Sequence, residues 1–533
     1  MKKKINQIYK KARTNKLVTT SFWIVFGLLI LGGIAIANTV ISDSPSSYFS
    51  GDNVTINETG VHYSTTSDSQ KLTKTADVVV CRGTSALDDL IKSFTCDVVC
   101  KHNDDDCSDE LDSSLTSNSV VIWRGVFPIP STGTGVKMGL SNFENVILYA
   151  DGAILNISSV DANSQTFVQI SSVNNFRIIG LEILGNKTCG AANNCIGLEV
   201  KNNNNIYLEN IKITGVKGFQ IFVNTNNNQN NIYIYDSYFE GYGVADVIGG
   251  GVSSSVANAT NIIIHDNFVN QSNESETKGT TNSKITDNIV ISHNETLVSN
   301  IGISNYESFN NIIDGNLVDG GVILNNGNYS RITNNFVNHY GIQSNSGISS
   351  NGKGNIISSN TIIGGGKNGI YIQGDYNLVS NNWIENLTER RSVNPIGIVI
   401  ESTSDNNKIN DNVIVNPSSN TIQNGIYLAT ATNNIIENNV FYNNGAVTAN
   451  WIHATANSKN NTIKDNKIYG NVTGFTVYND LGDDNYFDVT AVSGDISSTL
   501  TCADNSPRNG EIESNSTTSC ICLNSNWKCW SIS

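Results

Sequence analysis

The sequence predicts an all-β chain: a right-handed parallel β-helix of short coils, preceded by a transmembrane or signal helix and closed by small disulfide-rich caps. Three observations lead there. A repeat anchored on asparagine recurs nine times between residues 264 and 468. The composition is rich in turn formers and poor in both apolar and charged residues. A basic, then apolar, N-terminus and evenly grouped cysteines point to export.

The repeat comes first. Asn267, Asn288, Asn316, Asn335, Asn360, Asn382, Asn412, Asn439 and Asn466 each have an Ile or Val three residues earlier, from Ile264 to Ile463. Each also has an apolar residue two positions later, from Val269 to Ile468. The spacings are 21, 28, 19, 25, 22, 30, 27 and 27 residues. Many copies carry a second element, Gly-apolar-x-apolar, as in Gly369-Ile370-Tyr371-Ile372, Gly397-Ile398-Val399-Ile400 and Gly425-Ile426-Tyr427-Leu428. Strands this short pair only by stacking coil on coil, about 4.8 Å apart, with their apolar positions turned inward. Parallel crossovers are right-handed by default. Each Asn is expected at a bend, where it tolerates left-handed backbone and can bond the same amide one coil away. Weaker copies around Phe176, Asn205 and Asn231 extend the pattern upstream. The expected β-helix spans 121–490, about 14 coils and roughly 65 Å.

Composition agrees. At 533 residues the chain is several domains or one elongated repeat domain. Hydrophobic residues make up 38% and charged residues 15%, while there are 82 Asn and 45 Gly. That mixture means many turns, and neither a large globular core nor a disordered polyelectrolyte. Net charge is −15. No basic patch lies beyond the N-terminal tail, so nucleic acid is excluded as an expected partner.

Residues 1–41 form a signal anchor or signal peptide. Lys2, Lys3, Lys4, Lys10, Lys11, Arg13 and Lys16 precede an apolar run from Leu17 to Ala37. The run is about 20 residues, enough to span a bilayer. Ala35-Ile36-Ala37 would also suit a signal peptidase. The chain is thus expected to be membrane-anchored through this helix, or secreted if the signal is cleaved, with everything after it outside the cytoplasm. Residues 42–75, rich in Ser, Thr and Asp, read as a stalk.

Residues 76–120 read as a disulfide-tied N-terminal cap and 491–533 as a cysteine-rich end module. The ten cysteines fall in even groups: Cys81, Cys96, Cys100 and Cys107; Cys189 and Cys195; Cys502, Cys520, Cys522 and Cys529. In an exported chain that pattern predicts disulfides within each group; zinc in the four-cysteine groups is the alternative. Thr84 or Ser85 can cap a short helix with Leu87, Leu90, Ile91 and Phe94 on one face. In the end module, Gly510, Trp527 and Trp530 suggest a β-hairpin.

These residues resemble the β-helix repeats of the pectate-lyase-like superfamily, including its NosD-like repeat proteins. The Asn-anchored coils carry the likeness, with Val121–Phe127, Leu140–Leu148 and Gly152–Leu155 similar to the superfamily's first coils, and Ala86–Ile91 to its capping helix. The resemblance covers about 70% of the chain. It implies the fold, and it spans lyases, glycosidases, epimerases, binding proteins and adhesins. The catalytic motifs do not carry over. There is no Gly-His-Gly, the pairs Asp88-Asp89, Asp104-Asp105 and Asp483-Asp484 lie outside the central coils, and no Asp-Pro-His is present.

The expected partners are extracellular glycans or cell-wall polymers, with a non-catalytic surface rod as the alternative. Outward positions of the Gly-apolar-x-apolar strand give a candidate sugar-binding strip: Tyr371, Gln373, Glu401, Tyr427 and His453. His293, Asp319 and His339, three to five residues past a ladder Asn, with the loop residues Arg390 and Arg391, are the candidates for acid–base chemistry. No cofactor is identified. Calcium would fall to the loop carrying Asp104, Asp105, Asp106, Asp109, Glu110 and Asp112, which lacks the glycine of an EF-hand and reads more simply as a solvated acidic loop.

Overall fold

The computed structural model describes residues 52–57 and 60–65, then 76–487, then 512–514, 518–523 and 526–531. Within 76–487 the exceptions are 130–134, 158–164, 186–194, 217–218, 225–229, 242–247, 252–258, 271–274, 279, 282, 292–300, 307–308, 340–345, 365–366, 386, 388–394, 417–423, 444–449, 471–475 and 481–483. The expected N-terminal helix lies outside the described residues. No helix among the described residues is long and apolar enough to cross a membrane.

The chain divides after Asp77. The first unit contains an antiparallel pair, Asp52–Asn57 with Gly60–Thr65, in a stretch whose polarity suggested only a stalk. Alternation is present there but brief: Val54 and Ile56 in one strand, Val61 and Tyr63 in the other.

The second unit is an all-β parallel solenoid of the right-handed type. Residues 356–380 illustrate one coil. Ile356–Ser358 lies on the first face, Thr361–Gly364 on the second and Asn368–Ile372 on the third, and Leu378–Ser380 re-enters the first. Pairing is in register on every face: Ile357 with Val379, Ile362 with Ile384, and Ile370 with Ile398. The third face is a 14-stranded parallel sheet. The other two faces join because Val120–Pro128 pairs along both, through Val120–Ile122 on one and Gly125–Pro128 on the other.

The core is the set of inward rows. Every apolar residue flanking the nine repeat asparagines is at most 3% exposed. Each such Ile or Val contributes about 1.5–3 kcal/mol of burial. The third face adds Ile348, Ile370, Ile398, Ile426 and Ile452. The glycine before these positions faces inward at a tight corner. A Cβ at Gly397 would stand 2.5 Å from the Gly425 carbonyl oxygen and 2.9 Å from Ile414 Cδ1. The column ends at Trp451, whose ring packs 4.6 Å from Phe441.

Two buried asparagine ladders hold the corners. In the first, Asn335, Asn360 and Asn382 are typical. Each backbone N–H and each Nδ2 donates to Oδ1 of the next rung, at 2.9–3.0 Å. Each Nδ2 also donates to a carbonyl of the preceding coil, Ile332 O in the case of Asn360. The left-handed bend, however, is not at the ladder residue. It sits one position earlier, at Asp266, Asp287, Gly315, Asn334, Ser359, Asn381, Asp411, Asn438 and Asp465. The ladder Asn is the residue that this bend turns inward. The second ladder, at the corner between third and first faces, runs through Asn355, Asn377, Asn407, Asn434, Asn461 and Asn485.

At the N-terminal end, Cys81–Cys96 and Cys100–Cys107 are disulfides, which removes the zinc alternative for this group. Cys195 is also disulfide-bonded. Ser85 caps the helix Ala86–Lys92, accepting from the Asp88 amide at 3.1 Å. The apolar face of that helix is not a cap over the core: Leu87, Leu90, Ile91 and Phe94 are 54–81% exposed. The helix Ser108–Ser113 instead delivers Leu111 into the core. Residues Ile512–Ser514, Thr518–Leu523 and Asn526–Ser531 form a small antiparallel sheet.

Candidate functional site

On the third face Tyr371, Val399, Tyr427 and His453 occupy one outward row, one per coil. Tyr371 is half-buried; burial raises its phenol, and a hydrogen bond with Glu401 raises it further. Tyr427 and His453 have ring centroids 5.2 Å apart, tilted by 51°. Asn450 Nδ2 stands 3.1 Å from His453 Nδ1, an arrangement suited to a neutral ring accepting there. Burial lowers the His453 imidazole in the same sense. Gln373 is exposed at the end of its strand.

Of the acid–base candidates, only Asp319 and His339 lie among the described residues. His293, Arg390 and Arg391 lie outside the described residues. Asp319 faces outward on the second face, where Asn338 Nδ2 donates to it at 2.9 Å. His339, one residue past Asn338, alternates to the other side and is 2% exposed. Period-two alternation thus separates a pair that spacing from the ladder alone had placed on one face. In the acidic loop the carboxylates bond locally: Asp104 accepts from the Lys101 amide, and Asp106 from Ser108. Among the described residues no group of three or more His, Cys, Asp or Glu is placed to hold a metal.

A different cluster gathers on the outer side of the first face. Ile179, Glu209, Tyr235 and His265 are register partners on successive coils, with Arg177 two residues before Ile179. From there Arg177 reaches diagonally, donating through Nε to Glu209 Oε2 at 2.9 Å and through a terminal nitrogen to the same carboxylate. The guanidinium also donates to Tyr235 Oη at 3.2 Å, and Tyr235 donates to Glu209 Oε2 at 2.8 Å. Glu209 is 8% exposed, so its charge depends on these donors. The Tyr235 ring stacks on His265, centroids 5.0 Å apart, and His265 Nδ1 meets Asp266 Oδ2 at 2.8 Å.

Burial, aided by Glu209, pushes the Tyr235 phenol well above its ordinary range. Burial and the neighbouring Asp266 raise Asp236. The patch therefore offers a neutral phenol, an imidazole beside a carboxylate and a fixed cation. Such groups can donate to and accept from sugar hydroxyls and can move a proton. Next to it Tyr207 and Tyr233 stack at 4.6 Å, 3° from parallel. Rings stacked along the coils turn their faces to one another and their edges and hydroxyls outward. Sequence reasoning missed this cluster because it sits in the weaker upstream copies. The signal was Glu209, Tyr235 and His265 in one slot of consecutive coils.

The family described as "Periplasmic copper-binding protein (NosD)" matches residues 337–501. The resemblance to NosD-like β-helix proteins is therefore found in the C-terminal coils. Comparison with curated proteins gives no match. Among solved structures, the chain is similar to a DFA-IIIase from Arthrobacter chlorophenolicus A6, at 12% identity and TM-score 0.34, over 67% of this chain and 89% of that one. A mannuronan C-5 epimerase A-module from Azotobacter vinelandii aligns at 13% identity and TM-score 0.33, over 73% of this chain and 96% of that one. The Dettilon tailspike protein aligns at 14% identity and TM-score 0.32, over 71% and 69%.

The matched segment does not fit copper. Copper favours Cys, Met and His ligands. Residues 337–501 contain no Cys and no Met, and their only histidines are His339 and His453. His339 is buried at the end of a second-face strand, and His453 lies on the third face. Four strand steps, from Phe336 to Val440, separate their coils, about 19 Å along the axis.

Proposed function

We propose that this chain is an extracytoplasmic β-helix that binds extracellular polysaccharide, with the Arg177–Glu209–Tyr235–His265 cluster as the place where the polymer would be processed. The observation that carries this reading is that cluster: a buried carboxylate, a neutral phenol and an imidazole in register over neighbouring coils, with a cation reaching them diagonally. The third-face strip of Tyr371, Gln373, Glu401, Tyr427 and His453 would supply further sugar contacts. Export is supported by the basic-then-apolar N-terminus, by paired cysteines and by the match to a family described as periplasmic. In this reading 1–41 anchors or exports the chain, 42–75 is a stalk, 76–120 and 491–533 are caps, and 121–490 forms about 14 coils, in keeping with the 14 strands of the third face.

The test is incubation of residues 42–533 with a polysaccharide panel, following reducing ends, unsaturated products and retention of the protein. Retention by at least one polymer, and loss of any product formation in Tyr235→Phe, is the expected result. Neither product nor retention across the panel sinks the reading. The alternative is a structural or adhesive surface rod. The first-face row Thr333, Ser358, Ser380 and Asn410 favours it, being uncharged and uniform along several coils.

A further inference from the structure

At the corner between the third and first faces, successive coils place one residue in left-handed backbone. Most use Asn or Gly: Asn310, Gly354, Asn406, Asn433 and Asn460. Two coils do not. Tyr329 has φ 56° and Tyr376 has φ 59°. Left-handed backbone is strained for a bulky residue and nearly free for Gly or Asn. The strain gains nothing for the core, because Tyr329 is 62% and Tyr376 66% exposed.

Gly354 occupies the coil between them, tied to its neighbours by amide bonds from Tyr329 to the Lys353 carbonyl and from Gly354 to the Asp375 carbonyl. A side chain at 354 would collide with the Tyr329 ring, its Cβ 2.7 Å from Cδ1 and 2.8 Å from Cε1. The glycine thus leaves room for one ring to lean over it. The two tyrosines are two coils apart, about 9.6 Å along the axis. Unlike Tyr207 and Tyr233, they are not adjacent, so they are not each other's stacking partners. Phe309, 47% exposed, lies one coil earlier but one position off this row, paired with Asn328. Beside the notch, Lys353 Nζ and Asp375 Oδ2 pair at 2.9 Å.

We propose that Tyr329, Gly354 and Tyr376 form a subsite for a neutral polysaccharide lying along the coil axis, with pyranose rings stacked on the two tyrosines and hydroxyls bonded by Lys353 and Asp375. This rests on the glycan-binding reading above and narrows its substrate class. The C–H face of a pyranose matches an exposed aromatic ring. Lys353 and Asp375 cancel each other's charge, and a chain of net charge −15 repels polyanions. Tyr stands here against its backbone preference, and such strain marks functional positions.

The experiment is affinity electrophoresis of the full chain in detergent, in gels cast with neutral glucan, xylan or galactomannan, or with polygalacturonate. The wild type is expected to be retarded by at least one neutral polymer. The double variant Tyr329→Asn, Tyr376→Asn introduces the residue that other coils use. It should weaken that retardation at least tenfold while its Tm stays equal or rises. Gly354→Ala should weaken it too. Retardation unchanged in the double variant but lost in Tyr427→Ala places binding on the third face and overturns the subsite, leaving glycan binding intact. Retardation by polygalacturonate alone overturns the substrate class. No retardation by any neutral polymer overturns the subsite; if polygalacturonate fails as well, the broader reading fails with it.

Discussion

A single ladder asparagine does four things at once. Asn382 accepts from the backbone and side chain of Asn360 and donates to Ile357 O and to Asn412 Oδ1. All of these groups are sealed from water. Asn382→Ala is therefore expected to cost about 2–4 kcal/mol, since it strands buried donors as well as deleting bonds. Urea unfolding of the variant against wild type measures this, with Asn381→Gly, an exposed left-handed position, as the near-neutral control. The nine ladder positions were legible in the sequence because all nine are Asn, whose one side chain supplies both donor and acceptor at that corner. The bend was misplaced by one residue, because Asp, Ser, Gly and Asn all serve there and no one type stands out. The second ladder was illegible for a similar reason: Ser283 and Ser330 share its corner with Asn311 and Asn355, so the column has no constant letter.

At the scale of the strand, the column of inward glycines sets how closely the third face approaches the second. Gly397→Ala is expected to destabilise by about 1–3 kcal/mol, because the new methyl meets a carbonyl and an Ile side chain that are both held in place. Denaturant unfolding reports it. Strand-to-strand charge pairing is worth less. Lys408 and Lys464 flank Glu437 on neighbouring strands, at 2.7 and 3.1 Å. The bond from Lys408, then that from Lys464, holds the Glu437 carboxyl below its ordinary 4.5. Its stabilisation is present above that value and is lost as pH falls through the lowered one. Glu437→Gln should lose about 0.5 kcal/mol or less at neutral pH, the lysines being screened by solvent, and the loss should vanish as pH falls through the lowered carboxyl pKa. A difference that persists in acid would contradict this account. The Gly-apolar-x-apolar strands were plain in the sequence because burial forces alternation. Their outward residues were not, because solvent accepts almost any side chain. The Arg177 cluster consists of outward positions on the first face, and only the register between coils brings it together.

For the solenoid as a whole, backbone pairing runs only between neighbouring coils, so cooperativity is local. The third-face sheet extends about 60 Å, thirteen strand steps. Hydrogen exchange should be slowest in the central coils, around Ile285–Ile348, and faster toward the terminal coils, where a strand has one neighbour instead of two. Uniform protection along the whole length would argue for a single cooperative unit.

The ladder also makes the solenoid a counting device. Because one corner is fixed in nine successive coils by an Asn that aligns with its own equivalent, the rod there can gain or lose length only in whole turns, while loops absorb the difference between coils of 19 and 30 residues. Asn382 and Asn412 are 30 residues apart along the chain and one step apart in space. Removing residues 383–412 would bring Val413 into the place of Trp383, its register partner, and set Asn382 against Asn439 as if the missing turn had never existed. Removing one residue more would put Ile414 in an outward slot and break the alternation of that strand. The first deletion should fold and the second should not, which circular dichroism and resistance to proteolysis would distinguish. A protein of this kind changes length the way a ratchet moves, by teeth, and the unit of its variation is the coil.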